Sequence, residues 1–123
     1  MTMNRCPELF ELEAFFEAPG TSRYGNDRAD WFYDCLRFER SADGEHIACE
    51  IKPAEGEFRF MWSVGGHVRL DIQLRFVHSL EISASAGVEH LIGRLEESGL
   101  DQLFKLNIRP SVVFQLGTGL PKW

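Results

Sequence analysis

WFYDCLRFERSADGEHIACEIK, Trp31 to Lys52, is the stretch whose reading decides the fold. Two runs, Trp31–Arg40 and Glu45–Lys52, alternate apolar and polar residues on either side of Asp43-Gly44. Asp-Gly favours a two-residue type I′ hairpin turn, because both central positions need positive φ and the turn's twist matches that of the strands. Such a turn fixes the register. Ala42 falls opposite Glu45, Phe38 opposite Cys49 and Leu36 opposite Ile51, so the apolar side chains share one face. On the other face Arg37 meets Glu50, an attractive cross-strand pair. Turn, pattern and charge agree on an antiparallel hairpin.

A second hairpin follows from Phe58, Phe60 and Trp62 on one side of Gly65-Gly66, and Val68, Leu70, Ile72, Leu74 and Phe76 on the other. A two-residue loop would set Trp62 against Arg69 and mismatch the apolar faces. A three-residue loop, Val64-Gly65-Gly66, instead predicts Trp62 opposite Val68, Phe60 opposite Leu70 and Phe58 opposite Ile72. It also sets Arg59 against Asp71 and Glu55 against Arg75, with a glycine bulge. Leu80, Ile82 and Ala84 keep the parity of Phe76 and extend the strand or restart it after His78. The period then changes: Val88, Leu91, Ile92 and Leu95 mark one face of a helix from Gly87 to Ser98, capped by Ser85 and stopped by Gly99. Phe104, Leu106 and Ile108, then Val112, Phe114 and Leu116, predict two closing strands around Arg109-Pro110-Ser111. Upstream, Ala18–Asp30 reads as a loop. Phe10–Glu17 fits a strand by alternation and a helix by the stripe Leu9, Leu12, Phe15 and Phe16, with Pro7 at a first-turn position; the strand is the reading adopted. Strands before and after one helix give an α+β class: a curved antiparallel sheet of about six to seven strands, a meander of hairpins, with one amphipathic helix on one face.

The chain of 123 residues is one domain, residues 1–123, large enough to bury a core without metal or disulfide staples. Its three cysteines, Cys6, Cys35 and Cys49, cannot all pair. That sparse, odd count fits a reducing compartment, and the acidic N-terminal stretch has no apolar signal region, so a cytoplasmic location is expected. The net charge of −6 is lopsided: residues 1–60 hold 13 acidic and 7 basic residues, whereas residues 61–123 hold 6 of each. An acidic half argues against nucleic acid and admits a basic partner. No run is long enough to span a membrane.

No motif carries chemistry. His46, His67, His78 and His90 lack metal-ligand spacing among themselves or with the cysteines, so neither a metal nor a cofactor is expected. In the derived register Cys35 and Cys49 point to opposite faces, which excludes a disulfide, and no Cys–His pairing suggests a nucleophile. Asp34 has the apolar parity of Phe32 and Leu36. It reads either as a carboxylate with a raised pKa or as an inward charge protecting an edge, at the solvent-reached open end of the hairpin opposite Pro53. His78 reads as a core or strand-break histidine.

What remains is a surface. Trp31, Tyr33, Glu39 and Glu45 lie on or near the face opposite Leu36 and Phe38, with Asp27, Asp30 and Asp43 in the adjoining loop and turn. Aromatic anchors rimmed by charge suit a protein interface; alternatively, Trp31 and Tyr33 are covered and form a second core.

Taken together, WFYDCLRFERSADGEHIACEIKPAEGEF (Trp31–Phe58), VHSLEI (Val77–Ile82), GVEHLIGRL (Gly87–Leu95) and LNIRP (Leu106–Pro110) resemble small bacterial immunity proteins of polymorphic-toxin and contact-dependent growth inhibition systems. The resemblance implies a cytoplasmic, non-catalytic protein that binds and neutralises one cognate, basic toxin domain, and it carries over no catalytic residue. Two rivals come from other classes: a ligand-binding or enzymatic pocket around Asp34 or His78, and a scaffold or subunit of a larger complex.

Overall fold

The computed structural model describes residues 2–22 and 28–118. These residues form one α-helix, α1 (Leu9–Phe16), and nine strands. The strands are β1 (Thr21–Ser22), β2 (Leu36–Ala42), β3 (Glu45–Lys52), β4 (Glu57–Val64), β5 (His67–Leu74), β6 (Val77–Ser85), β7 (Val88–Glu97), β8 (Leu100–Asn107) and β9 (Val113–Gly117). A 3-10 helix, Arg28–Tyr33, precedes β2. Strands pair in chain order, β1-β2-β3-β4-β5 in one sheet and β6-β7-β8-β9 in a second, with antiparallel ladders throughout. The antiparallel, hairpin-built class expected from the sequence holds. The single sheet does not: there are two.

The Asp43-Gly44 hairpin has the derived register, with Ala42 opposite Glu45, Phe38 opposite Cys49, Leu36 opposite Ile51 and Arg37 opposite Glu50. Asp43 and Gly44 both adopt positive φ, 53° and 77°. Its first strand is shorter than expected, because Trp31–Tyr33 lie in the 3-10 helix and the ladder starts at Leu36.

The second hairpin differs from the expected three-residue loop. Gly65 and Gly66 (φ 56° and 82°) form a two-residue turn with Val64 opposite His67. The parity conflict is resolved inside the strand, where pairing jumps from Ser63–Val68 to Trp62–Leu70 and Arg69 is left as the bulged residue. Phe60 therefore faces Ile72 and Phe58 faces Leu74. Arg59 lies opposite Gln73, yet reaches Asp71 diagonally at 3.0 Å. Glu55 falls in the Pro53–Gly56 turn, outside the ladder.

The predicted helix at Gly87–Ser98 is strand β7. Ala86-Gly87 (φ 52° and 78°) and Ser98-Gly99 (φ 53° and 79°) are both two-residue turns with positive φ, so β6, β7 and β8 form a meander. The helix is instead the N-terminal segment. Leu9, Leu12, Phe15 and Phe16 are buried, whereas Phe10 is 69% exposed, which is the helical stripe and not the alternation. The backbone N–H of Glu8 donates to the Glu11 carboxylate (2.9 Å), and Glu17, in the left-handed region, ends the helix.

One apolar core joins these parts. Phe16 of α1 stacks on Phe38 of β2, with ring centroids 5.0 Å apart. Phe104 of β8 meets Phe58 of the first sheet at 4.6 Å and Phe114 at 5.7 Å. Phe104 pairs across the ladder with Gly93, whose missing side chain lets the ring lie directly on the backbone. The N-terminal segment joins the two sheets. The N–H of Met3 donates to the carbonyl of Pro53, that of Asn4 to His78, and that of Leu80 to Arg5, all at 2.8–2.9 Å. No helix among the described residues is long and apolar enough to cross a membrane.

Candidate functional site

The residues expected to form one acidic-aromatic surface occupy separate places along β2. Asp27 lies outside the described residues. Asp30, Trp31 and Tyr33 belong to the 3-10 helix at one end. Asp43 caps the other end, where the Gly65 N–H donates to the Gly44 carbonyl (2.8 Å) and ties the two hairpin tips together. At ~3.3 Å per residue the length of β2 puts the two ends about 23 Å apart.

Two of the carboxylates are already engaged. Glu39, on the outer face, pairs with Arg37 at 3.4 Å and lies 3.7 Å from His46. Beyond it the same face carries a charge ladder, Arg37–Glu50–Arg59–Asp71. The Arg59 hydrogen bonds hold the Asp71 carboxyl below its ordinary range. Glu45 was expected near the outer face, but the register gives it the core-side parity of Ile47 and Cys49. There it accepts a hydrogen bond from the Trp62 indole N–H at 2.9 Å. Asp30 and Asp43 are exposed and have no ion pair among the described residues.

The aromatic end is better built than the sequence suggested. Trp31 is half-buried against the core, whereas Tyr33 is 73% exposed. Phe32, not among the expected surface residues, stands between them edge to face, its centroid 5.9 Å from Trp31 and 5.5 Å from Tyr33. Three adjacent aromatics, WFY, could have flagged this, since a strand would send the middle ring to the opposite face. Phe32 also accepts the Ala54 N–H (3.1 Å), which seats the 3-10 helix on the β3–β4 turn.

Asp34 is the support beneath. It is 2% exposed, so solvent does not reach it as expected. Its carboxylate accepts the Ser22 hydroxyl and the Cys35 N–H (2.7 Å), and its own N–H donates to the Trp31 carbonyl (3.1 Å). His78 is a strand-break histidine, lying where the β6–β7 register shifts between Val77 and Ser79.

Other groups offer little for chemistry. Cys6, Cys35 and Cys49 are free thiols. Burial, and then Glu8, pushes the Cys6 thiol up to about 12; burial raises Cys49 well above its ordinary value. Both stay protonated near neutrality, the unreactive form. Among the described residues no cluster of three or more His, Cys, Asp or Glu could hold a metal ion. A hollow lined by Glu50, Lys52, Glu57, Phe58, Arg59 and Gln73 measures about 100 Å³, well short of the ~300 Å³ at which ligand pockets begin.

His90 is the buried group without a role. It has the outer parity of β7, is 7% exposed, and its Nδ1 has no partner among the described residues. Burial first, and the Lys105 charge second, lower its pKa from the ordinary 6.5. The fold thus favours neutral His90: its contribution is complete above the unfolded value and is lost as pH falls through the folded one. Urea midpoints should drop between neutral pH and pH ~5, and His90→Gln should flatten that slope. An equal slope in the variant would place the acid sensitivity elsewhere.

No family model matches the sequence, and no curated protein matches it. In structure, the chain is similar to a chain from a contact-dependent growth inhibition toxin–immunity protein complex of Klebsiella pneumoniae 342, with a TM-score of 0.78 at 17% identity. The match covers 95% of this chain and 98% of that one. The fold of this chain is therefore that of a component of a contact-dependent growth inhibition toxin–immunity complex.

Proposed function

We propose that the protein is an immunity protein, which binds a cognate basic toxin domain and neutralises it without catalysing a reaction. The observation that carries this reading is the likeness to a member of a toxin–immunity complex over nearly the full length of both chains. The charge supports it. All of the formal excess of −6 lies in residues 1–60, where every candidate contact is found: Asp27, Asp30, Trp31, Tyr33, Glu39, Asp43 and Glu45. Protonated thiols and an Asp34 carboxylate committed to its neighbours fit a binding role.

The reading requires a toxin domain encoded next to this gene, and the test is co-expression with it. Survival of the host and co-elution of the two chains are expected; neither protection nor a complex would overturn the reading. Because Asp43 is exposed at a turn and pairs with nothing described, Asp43→Asn, which the positive φ of that turn tolerates, isolates long-range attraction. It should slow association severalfold at low salt, reduce the salt dependence and leave dissociation unchanged.

A further inference from the structure

The candidate contacts are not equivalent, and their geometry singles out one end of β2. Glu39 and Glu45 are spent on Arg37 and on the Trp62 indole. Asp43 stands at the far tip with no aromatic partner among the described contacts. Of the candidate contacts among the described residues, those of the 3-10 helix alone combine exposed ring area with a carboxylate that has no ion pair. Tyr33 is its most exposed ring, and Asp30, at the kink where two short 3-10 turns meet (φ −103°, ψ 18°), lies three residues before it.

This helix is also held in place before any partner arrives. Phe32 is hydrogen-bonded to Ala54, Asp34 to the Trp31 carbonyl, and the Asp34 carboxylate to Ser22 and Cys35. Trp31 is wedged against the core, and Phe32 braces the exposed ring from the side. An aromatic with so little freedom left to lose makes an efficient anchor.

We propose that one arginine of the basic protein partner seats on the Trp31–Phe32–Tyr33 ladder, its guanidinium over the Tyr33 face and ion-paired with Asp30. This rests on the immunity reading and specifies its contact. Arginine is chosen over lysine because a planar guanidinium stacks flat on a ring while its edge donates two parallel hydrogen bonds to a carboxylate; an ammonium has neither the plane nor the edge. Asp34 acts as a positioning residue beneath the ladder.

Binding of the neighbouring toxin domain to purified protein, measured as separate association and dissociation rates, tests this. Tyr33→Ala should weaken affinity at least about 30-fold, through faster dissociation. Tyr33→Phe should bind like wild type, since it keeps the ring face. Asp30→Asn, which leaves the ring in place and keeps the test open if Tyr33→Ala folds poorly, should weaken affinity about tenfold. Replacing the toxin domain's arginines by lysine one at a time should reveal one position that reproduces the Tyr33→Ala loss. If wild type binds while Tyr33→Ala and Asp30→Asn stay within twofold of it, or no arginine-to-lysine change matters, the ladder proposal fails and the immunity reading stands. If wild type does not bind at all, both fail.

Discussion

Gly93→Ala is expected to destabilise the protein by about 3 kcal/mol, although it adds a single methyl group. That methyl would lie 1.8 Å from Cε2 of Phe104 and 2.3 Å from Cζ, so the ring must leave its place. The ring cannot move cheaply, since Phe58 holds it from the first sheet and Phe114 from the next strand. Phe104→Ala alone should cost about 4 kcal/mol, as a fully buried ring is replaced by a cavity. The two changes should not add. With the ring gone, the methyl at position 93 enters space already vacated, so the double variant should be about as stable as Phe104→Ala, a coupling of about 3 kcal/mol. Urea denaturation of the four proteins closes the cycle. Additive losses would mean that the glycine serves the backbone and not the ring.

Asp34→Ala should cost about 3 kcal/mol, because it removes the buried carboxylate that accepts from both the Cys35 N–H and the Ser22 hydroxyl. Asp34→Asn keeps one oxygen and should lose roughly half as much. The larger variant should also loosen the WFY segment, raising amide exchange at Asp34 and Ala54, whose N–H groups bond to Trp31 and Phe32. A loss below ~1 kcal/mol with unchanged exchange would show that Pro53–Gly56 alone seats the 3-10 helix.

The parts of this fold legible in the sequence are those where local chemistry leaves one answer. Asp43-Gly44 demands a two-residue turn, and the turn dictates every pair from Ala42–Glu45 to Leu36–Ile51. At Gly65-Gly66 the turn chemistry was equally plain, but the apolar parity pointed elsewhere, because a bulge at Arg69 is invisible to a pattern that assumes regular alternation. Strand β7 misled for another reason. Leu91 and Leu95 face the core while Val88 and Ile92 take the outer face, and apolar residues on both faces of a strand mimic a helical stripe. Gly93 in mid-segment and a glycine after each end were the contrary signals. In Leu9–Phe16 the alternation of Phe10 and Ala14 with glutamates was accidental; the Glu8–Glu11 contact marks the helix start. Among the surface residues, charge counting correctly found an acidic half but could not see that Glu39 and Glu45 spend their charge internally.

Within each sheet strand follows strand with no crossover, and the β2–β3, β4–β5, β6–β7 and β7–β8 hairpins each close over two residues at small entropic cost. The segment Met3–Arg5 breaks that locality, because it needs the Pro53 turn on one side and His78 and Leu80 on the other. Its partners come from two sheets, and neither sheet alone presents both. Its full set of hydrogen bonds therefore exists only when both meanders are formed and in contact, so amide exchange at Met3, Asn4 and Leu80 reports on the joining of the two sheets.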